Sequence, residues 1–456
     1  MAKLVRHVFR TGRVIGWPAS GACSPGRDVS ARGRNLKALA FERVVITGTG
    51  AVSPFGIGRS CLWQGVREGR NAITRLPFAM EDLPVQVGGS VPDFDPDAVL
   101  GHRMARRTAR FAQFALVAAR EALEGARLDL SDTDLAATTG IVIGTAGGLF
   151  QGGEQQGVLD SRGPRRVDPL YLSKWAPYMA AVRVGMELGV HGIATTVNSA
   201  CASGLDAIGQ SLVLLRAGRA ERILTGGAEA ILNPLSVAVL GQIGALTRCA
   251  DPDGASRPFD RDRDGFVLAE GAGILLLELE SSARRRGAVI LGEVAGAGWA
   301  FDASDETAPD ATGQALAMRR ALDDADLEVG ELGWVKAHGT GTVLNDRTET
   351  RAIKRALGEA VAYATPVSSL KGVLGHGASA SGGMEAVAAV DALRSGYIPP
   401  TAHLDHPDPE CDLDYVPRSG RQAIVRAALL NAFGLGGQDA CIVLRRWPEA
   451  PPAEGV

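Results

Sequence analysis

The sequence predicts an α/β protein whose sheets are covered by helices on both faces. Three observations carry this reading. Short apolar segments, several bounded by glycine, recur along 456 residues. Helix-period patterns separate them. Most of the segments are apolar throughout rather than alternating, as expected of strands buried on two sides. A chain of this length can bury a large core and house an enclosed tunnel.

The folded part is expected to begin at Arg43-Val44-Val45-Ile46-Thr47, a β-branched run ending in Gly48-Thr49-Gly50. The glycines there are no dinucleotide fingerprint. Ser53 takes the third glycine position and Pro54 follows, so no helix opens on a phosphate. Further buried strands are expected at 140–144, 222–227, 273–279, 289–294, 334–337 and 440–444. Helical patterns fall at 106–123, 205–215, 314–325, 346–357 and 383–394. A faint internal echo relates a series opening at Val44 to a shorter one opening at Ile290, each closing on a glycine-rich stretch (271–273 and 434–437). Two similar halves follow, 41–288 and 289–447, with 448–456 as a tail.

Residues 1–40 differ from the rest, with eight Lys/Arg against Asp28 alone. They are read either as an organelle transit peptide or as a disordered basic extension, and are set aside from the fold. Over the whole chain charge is balanced, 48 basic against 51 acidic residues for a net −3, which points to neither nucleic acid nor a membrane surface as partner. Six cysteines lie scattered without close pairs, so neither a disulfide framework nor a zinc site is expected. A reducing, cytoplasmic setting fits, or an organellar one if 1–40 is a transit peptide. No apolar stretch approaches the ~20 residues of a membrane helix.

Chemistry concentrates in four glycine-framed clusters. Asn198-Ser199-Ala200-Cys201-Ala202-Ser203-Gly204 precedes an apolar helical run. A cysteine at a helix mouth gains thiolate character from the dipole, and small neighbours leave room for a substrate; the alternative is a cysteine that merely packs. Ala337-His338-Gly339-Thr340-Gly341-Thr342 follows a strand and offers an imidazole with two hydroxyls. Ser368-Ser369-Leu370-Lys371-Gly372-Val373-Leu374-Gly375-His376 places a lysine and a histidine five apart. Asn431-Ala432-Phe433-Gly434-Leu435-Gly436-Gly437 reads as a flexible loop whose ring can swing. One cysteine, two histidines and a lysine fit a coherent reaction. The cysteine accepts an acyl group while two neutral imidazoles stabilise an enolate formed by decarboxylation of a second thioester. A protease-like Cys-His pair would leave one histidine and the lysine unused.

In this order, the four clusters resemble the β-ketoacyl-acyl-carrier-protein synthases, of the synthase II type and the type II polyketide ketosynthases. The likeness runs from about residue 42 to 446 and extends to 226–229, 255–260, 263–268 and 407–417. It implies a thiolase-like fold of two αβαβα halves forming a five-layered core. The first half carries the nucleophile and the second the His and Lys residues. It implies Cys201 as acylated nucleophile, His338 and His376 as the decarboxylating pair, and Lys371 orienting them with Glu385 as supporting acid. The backbone N–H groups of Cys201 and Phe433 would form the oxyanion hole, with the Phe433 ring as a gate. Thr340 and Thr342 match positions on the phosphopantetheine arm.

Substrates then arrive on acyl carrier protein, and no further cofactor or metal is expected. A homodimer is implied, with a heterodimer as alternative. Fatty-acid elongation is the first reading of pathway, and a polyketide or polyene pathway the second. A non-catalytic chain-length-factor-like partner would lack the nucleophile, and a simple acyl-transfer enzyme would not need paired histidines. Ala146, where a branched residue often lines the acyl pocket, suggests room for a longer or bulkier chain. Arg103, Arg106, Arg107 and Arg110 suit an acidic carrier protein or a solvated helix face. Residues 260–264 alternate in charge and read as an internally paired loop.

Overall fold

The computed structural model describes residues 41–78, 82–83, 85–147 and 152–448; residues 1–40 and 449–456 fall outside it. The described residues from Glu42 onward form one compact unit. Its ten central strands are β1 (Val44–Ser53), β2 (Thr139–Gly144), β3 (Ala194–Val197), β4 (Arg222–Glu229), β5 (Gly271–Leu279), β6 (Gly292–Phe301), β7 (Trp334–Lys336), β8 (Val367–Ser368), β9 (Ala427–Gly434) and β10 (Gln438–Arg445).

They form one continuous path, β8-β7-β9-β10-β6-β1-β5-β4-β2-β3, with the short strand Gly56–Ile57 attached to β1. Outward from the centre, β1-β5-β4-β2-β3 and β6-β10-β9-β7-β8 are the same permutation. The pairing senses match as well. In each half the outer pairs are parallel and the inner two antiparallel. The halves join where Val44 to Ile46 of β1 meet Gly292 to Val294 of β6. Residue 288 lies between β5 and β6.

Six helices fix the layers: α1 (Arg110–Ala126), α2 (Ser203–Arg216), α3 (Ala311–Asp324), α4 (Val343–Leu357), α5 (Lys371–Leu374) and α6 (Ser379–Ser395). Helix α1 packs outside β1, β4 and β5, and α3 lies outside β6 and β10 with α4 beside it. Helices α2 and α6 touch each other and are sandwiched between the two sheet halves, which makes five layers.

Small residues set these spacings. A Cβ on Gly48 or Gly50 would lie 2.0 Å from the carbonyl oxygen of Ala122 or Ala118 in α1. The glycines expected to end the first strand therefore sit inside β1, where they admit the helix. The strand expected at 289–294 instead runs from Gly292 to Phe301. Its Gly296 and Gly298 press on α3, so close packing replaced the β-branched signal. The helix expected from Arg106 begins at Arg110, because Thr108 is extended and ends a separate turn at His102–Arg107.

Candidate active site

Strand β3 delivers the chain to Ser199, where a single 3-10 turn, Ala200–Ala202, precedes α2. Ala200 holds a left-handed φ of 51°, a conformation that costs a non-glycine residue about 1–2 kcal/mol. The surroundings impose it. Ala200 N–H donates to Asn198 Oδ1 at 3.2 Å, and its carbonyl accepts from Ser203 Oγ at 2.6 Å and Ser379 Oγ at 3.2 Å. Gly434 brings the end of β9 against this turn, since a Cβ there would lie 2.6 Å from the Ser199 oxygen.

Cys201 is therefore one turn ahead of α2 rather than in its first turn. Burial pushes its thiol above the ordinary value. The Leu435 N–H bonded to it and the Lys371 charge pull it part-way back, and Glu229 opposes them. Desolvation thus outweighs the Leu435 hydrogen bond and the Lys371 charge that favour the thiolate.

Two imidazoles face each other nearby. His338 follows β7 and His376 follows α5, and their rings cross at 86° with centroids 5.3 Å apart. The Phe433 ring lies 5.6 Å from His338. Burial first, then the Lys371 charge, holds both imidazoles well below their ordinary proton affinity, so they are neutral. Lys371 Nζ donates to the His338 carbonyl at 2.8 Å and to Glu385 Oε1 at 2.6 Å.

Ser381 Oγ accepts from Gly377 N–H at 2.9 Å and stands 3.1 Å from His376 Nδ1. With one lone pair taken by Gly377, the hydroxyl can turn its one hydrogen to Nδ1, an arrangement that would leave the ring proton on Nε2. On the roles that the sequence resemblance implies, a Ser381→Ala variant is expected to decarboxylate malonyl substrate roughly tenfold more slowly, with acylation of Cys201 unchanged. Parallel loss of both steps would count against this tautomer lock.

Both the sequence and this fold are matched by known proteins. The sequence fits the beta-ketoacyl synthase N-terminal domain over residues 41–283 and the C-terminal domain over 291–405. A 3-oxoacyl-[acyl-carrier-protein] synthase 2 of Synechocystis sp. is 43% identical over 414 residues, covering 90% of this chain and 99% of the relative. The chain belongs to the beta-ketoacyl synthase family. Among solved structures, the ishigamide ketosynthase/chain length factor is 35% identical with a TM-score of 0.83, covering 90% of this chain and all of that one. A type II polyketide acyl carrier protein complex with its hexaketide-bound ketosynthase gives 32% and 0.80, with the same coverage.

Other expected residues of this beta-ketoacyl synthase fall as follows. Thr340 and Thr342 hydroxyls touch at 3.0 Å, and Thr342 also caps α4 by accepting from Asn345 N–H at 3.3 Å. Phe433 does not sit in a flexible loop. It is buried near the end of β9, opposite Asp439 of β10, and only the turn after Gly434 is irregular. The strand emerges because the run from Ala427 finds its partner in β10, a pairing invisible to local sequence.

Ala146 is partly buried, its N–H donating to Glu229 Oε2 and Ser379 Oγ, both at 3.0 Å. Arg103, Arg106 and Arg107 are exposed, whereas Arg110 is engaged with Glu270 at 2.6 Å. The 260–264 loop is not chiefly paired within itself. Arg263 reaches out to Asp408 at 2.8 Å and Asp346 at 3.4 Å, and Asp260 accepts from the backbone of Asp405 and His406.

The motif reading assigned no role to Lys336, Glu349, Ser381 or Glu229. Glu229 had a signal, a carboxylate ending an apolar glycine strand. Burial raises its carboxyl to about 7. The folded form therefore holds a proton that the unfolded chain releases, and stability falls as pH rises from the unfolded carboxylate value through about 7. Above pH 7 its charge opposes the Cys201 thiolate. A Glu229→Gln variant is expected to alkylate at Cys201 about two- to fivefold faster than wild type at pH 8 and equally at pH 6, read by peptide mass. The same ratio at both pH values would rule this out.

Proposed function

We propose that this chain is a 3-oxoacyl-[acyl-carrier-protein] synthase that extends acyl chains in fatty-acid elongation. The observation that carries the reading is the crossed pair of neutral imidazoles, with Lys371 bound to the His338 backbone. A single general base would not need this arrangement.

The Cys201 thiol loses its proton and the thiolate attacks an acyl thioester, releasing the carrier-protein thiol. Malonyl carrier protein then enters on its phosphopantetheine arm, which the Thr340 and Thr342 hydroxyls contact. His338 and His376 donate Nε2–H bonds to its thioester oxygen. The bond to the carboxylate breaks, carbon dioxide leaves, and the electron pair becomes the enolate. That carbon attacks the Cys201 thioester, and the N–H groups of Cys201 and Phe433 stabilise the oxyanion. The C–S bond breaks, the thiolate recovers a proton, and the β-ketoacyl product remains on the carrier protein. Both carbon donors arrive activated, so the chemistry calls for no other cofactor.

Exposed Arg103 and Arg107 line an open cavity of about 590 Å³ with Arg183, Met104 and Met186, which suits an acidic carrier protein presenting an apolar arm. Strand β3 is a sheet edge with Ala194 and Thr195 exposed, and Tyr178 is exposed beside the helix Met179–Leu188 that precedes it. An open edge beside apolar side chains favours pairing with a second subunit. A homodimer is the first expectation, and a related subunit the alternative that the ketosynthase/chain length factor relative suggests. Among the described residues no helix is long and apolar enough to cross a membrane, and a cytoplasmic setting is the reading adopted.

The test is intact mass of wild-type and Cys201→Ser protein after exposure to acyl carrier proteins of graded chain length, then to malonyl carrier protein. An adduct on wild type alone that discharges as a β-ketoacyl product is expected, and the best donor reports the chain length. No adduct with any donor would overturn the reading and favour a silent partner subunit.

A further inference from the structure

Lys336 is a fully buried lysine that the reaction above leaves unused. It ends β7, two residues before His338. Its ammonium donates to Glu385 Oε2 and, at 2.9 Å, to the carbonyl of Asn431 on β9. Glu385 is held from its other oxygen by Lys371. A second buried carboxylate, Glu349 of α4, accepts from His338 N–H at 2.7 Å, Gly339 N–H at 2.8 Å and Asn431 Nδ2 at 3.1 Å. Lys336, Lys371, Glu349 and Glu385 are each at most 1% exposed. Two ammoniums and two carboxylates thus share one buried quartet, in which both lysines pair with Glu385 while Glu349, held by backbone and amide donors, acts on Lys336 through space.

We propose that Lys336 is a positioning residue for the decarboxylation step. It ties Glu385, and through it Lys371 and the His338 backbone, to the strand that carries Phe433, and it keeps the quartet neutral when the malonyl carboxylate arrives. This deepens the ketosynthase reading and rests on it. With a neutral side chain at 336, two buried carboxylates would face one ammonium. An excess negative charge in a dry site opposes both the malonyl anion and the enolate left when carbon dioxide departs. Acyl transfer to Cys201 brings in an uncharged thioester and is affected much less.

The groups facing Lys336 are Glu385 of α6, Lys371 of α5, Glu349 of α4 and, on β10, Cys441, whose thiol donates to Asn431 Oδ1 at 3.3 Å. Both imidazoles feel the Lys336 charge together with Lys371, and His338 also feels His376. Each cation disfavours a protonated imidazole. Removing one raises the proton affinity of the pair and moves the acid limb of decarboxylation to higher pH.

The experiment compares wild type, Lys336→Met, Lys336→Gln and Lys336→Arg, full length, by rapid-quench Cys201 acylation and by carbon dioxide release from malonyl carrier protein between pH 5 and 9. Lys336→Met is expected to lose at least about tenfold in decarboxylation and to shift its acid limb up by about half a unit or more. Acylation is expected to stay within about twofold of wild type, and Lys336→Arg to restore both rate and limb. Equal loss in both steps with an unmoved limb, or an unaltered Met variant, overturns the proposal. Should Lys336→Met not fold, Lys336→Gln keeps donor groups without the charge and must reproduce the shifted limb. Should neither neutral variant fold, a shifted limb in Lys336→Arg overturns it. Failure of wild type to acylate at all would instead sink the ketosynthase reading itself.

Discussion

A Cys201→Gln variant is expected to lose condensation by at least about 10³-fold while still releasing carbon dioxide from malonyl carrier protein. In the proposed mechanism the two half-reactions use different groups. There acyl transfer needs the Sγ at the strained turn after Ala200, whereas decarboxylation needs the imidazoles of His338 and His376, which are buttressed by Lys371 and Ser381 rather than by the thiol. Glutamine places a neutral carbonyl where the acyl thioester would stand, so the malonyl site meets the surroundings it has after acylation. Carbon dioxide release is measured with malonyl carrier protein alone, and condensation by mass of the product. Retained condensation would show that Cys201 is not the nucleophile. Loss of decarboxylation in a folded variant would show that the imidazoles do not act independently of it.

The largest expected loss of stability comes from Arg263→Met. This guanidinium is 3% exposed and serves several acceptors at once. It donates to the carbonyls of Asp260 at 2.7 Å, Thr342 at 3.1 Å and Val343 at 3.2 Å, and pairs with Asp408 and Asp346. Asp408 keeps Arg347 at 3.0 Å. Asp346 is fully buried and accepts from Phe259 N–H at 2.8 Å and Gly341 N–H at 3.2 Å, with no second cation among its named partners. Removing one partner of such a pair costs about 3–5 kcal/mol, a fall in Tm of about 4–6 °C for a folded unit of this size.

The pH dependence has a definite sign. Burial already raises the Asp346 carboxyl to about 6 against the pull of Arg263. Without Arg263 it rises further, so the folded variant holds a proton that the unfolded chain releases, and stability falls as pH climbs from about 4 through the raised value. Urea unfolding should therefore show a larger deficit at pH 8 than at pH 5. A deficit independent of pH would mean that lost packing, not the stranded carboxylate, is responsible. Because Arg263 also binds the Thr342 and Val343 carbonyls, KM for the carrier-protein substrate is expected to rise.

Much of the site was legible because its chemistry is local. Cys201, His338, Lys371 and His376 each stand in a short glycine-framed run whose residue types state what the backbone must do there. Gly339 and Gly375, for example, adopt φ of 42° and 74°, turning the chain beside each imidazole. Alternating apolar segments and helical periods were enough to indicate a layered α/β protein, and the faint echo between the series at 44 and 290 corresponds to the repeated strand permutation.

What stayed hidden depends on atoms far apart in sequence. Strand β6 carries small residues because α3 rests on it, and β9 needs β10 to be a strand at all. Lys336 next to a histidine motif reads as one more charged residue until Glu385, 49 positions away, and Asn431, 95 away, are brought to its ammonium. The same holds for the thiol. The sequence by itself determined which candidate reacting groups the chain offers and in what order they lie along it, since residue type and backbone need are local properties. Only the tertiary structure decided their protonation and charge balance, because desolvation and Coulomb interactions depend on distance in space, and at Cys201 burial outweighs the Leu435 hydrogen bond and the Lys371 charge.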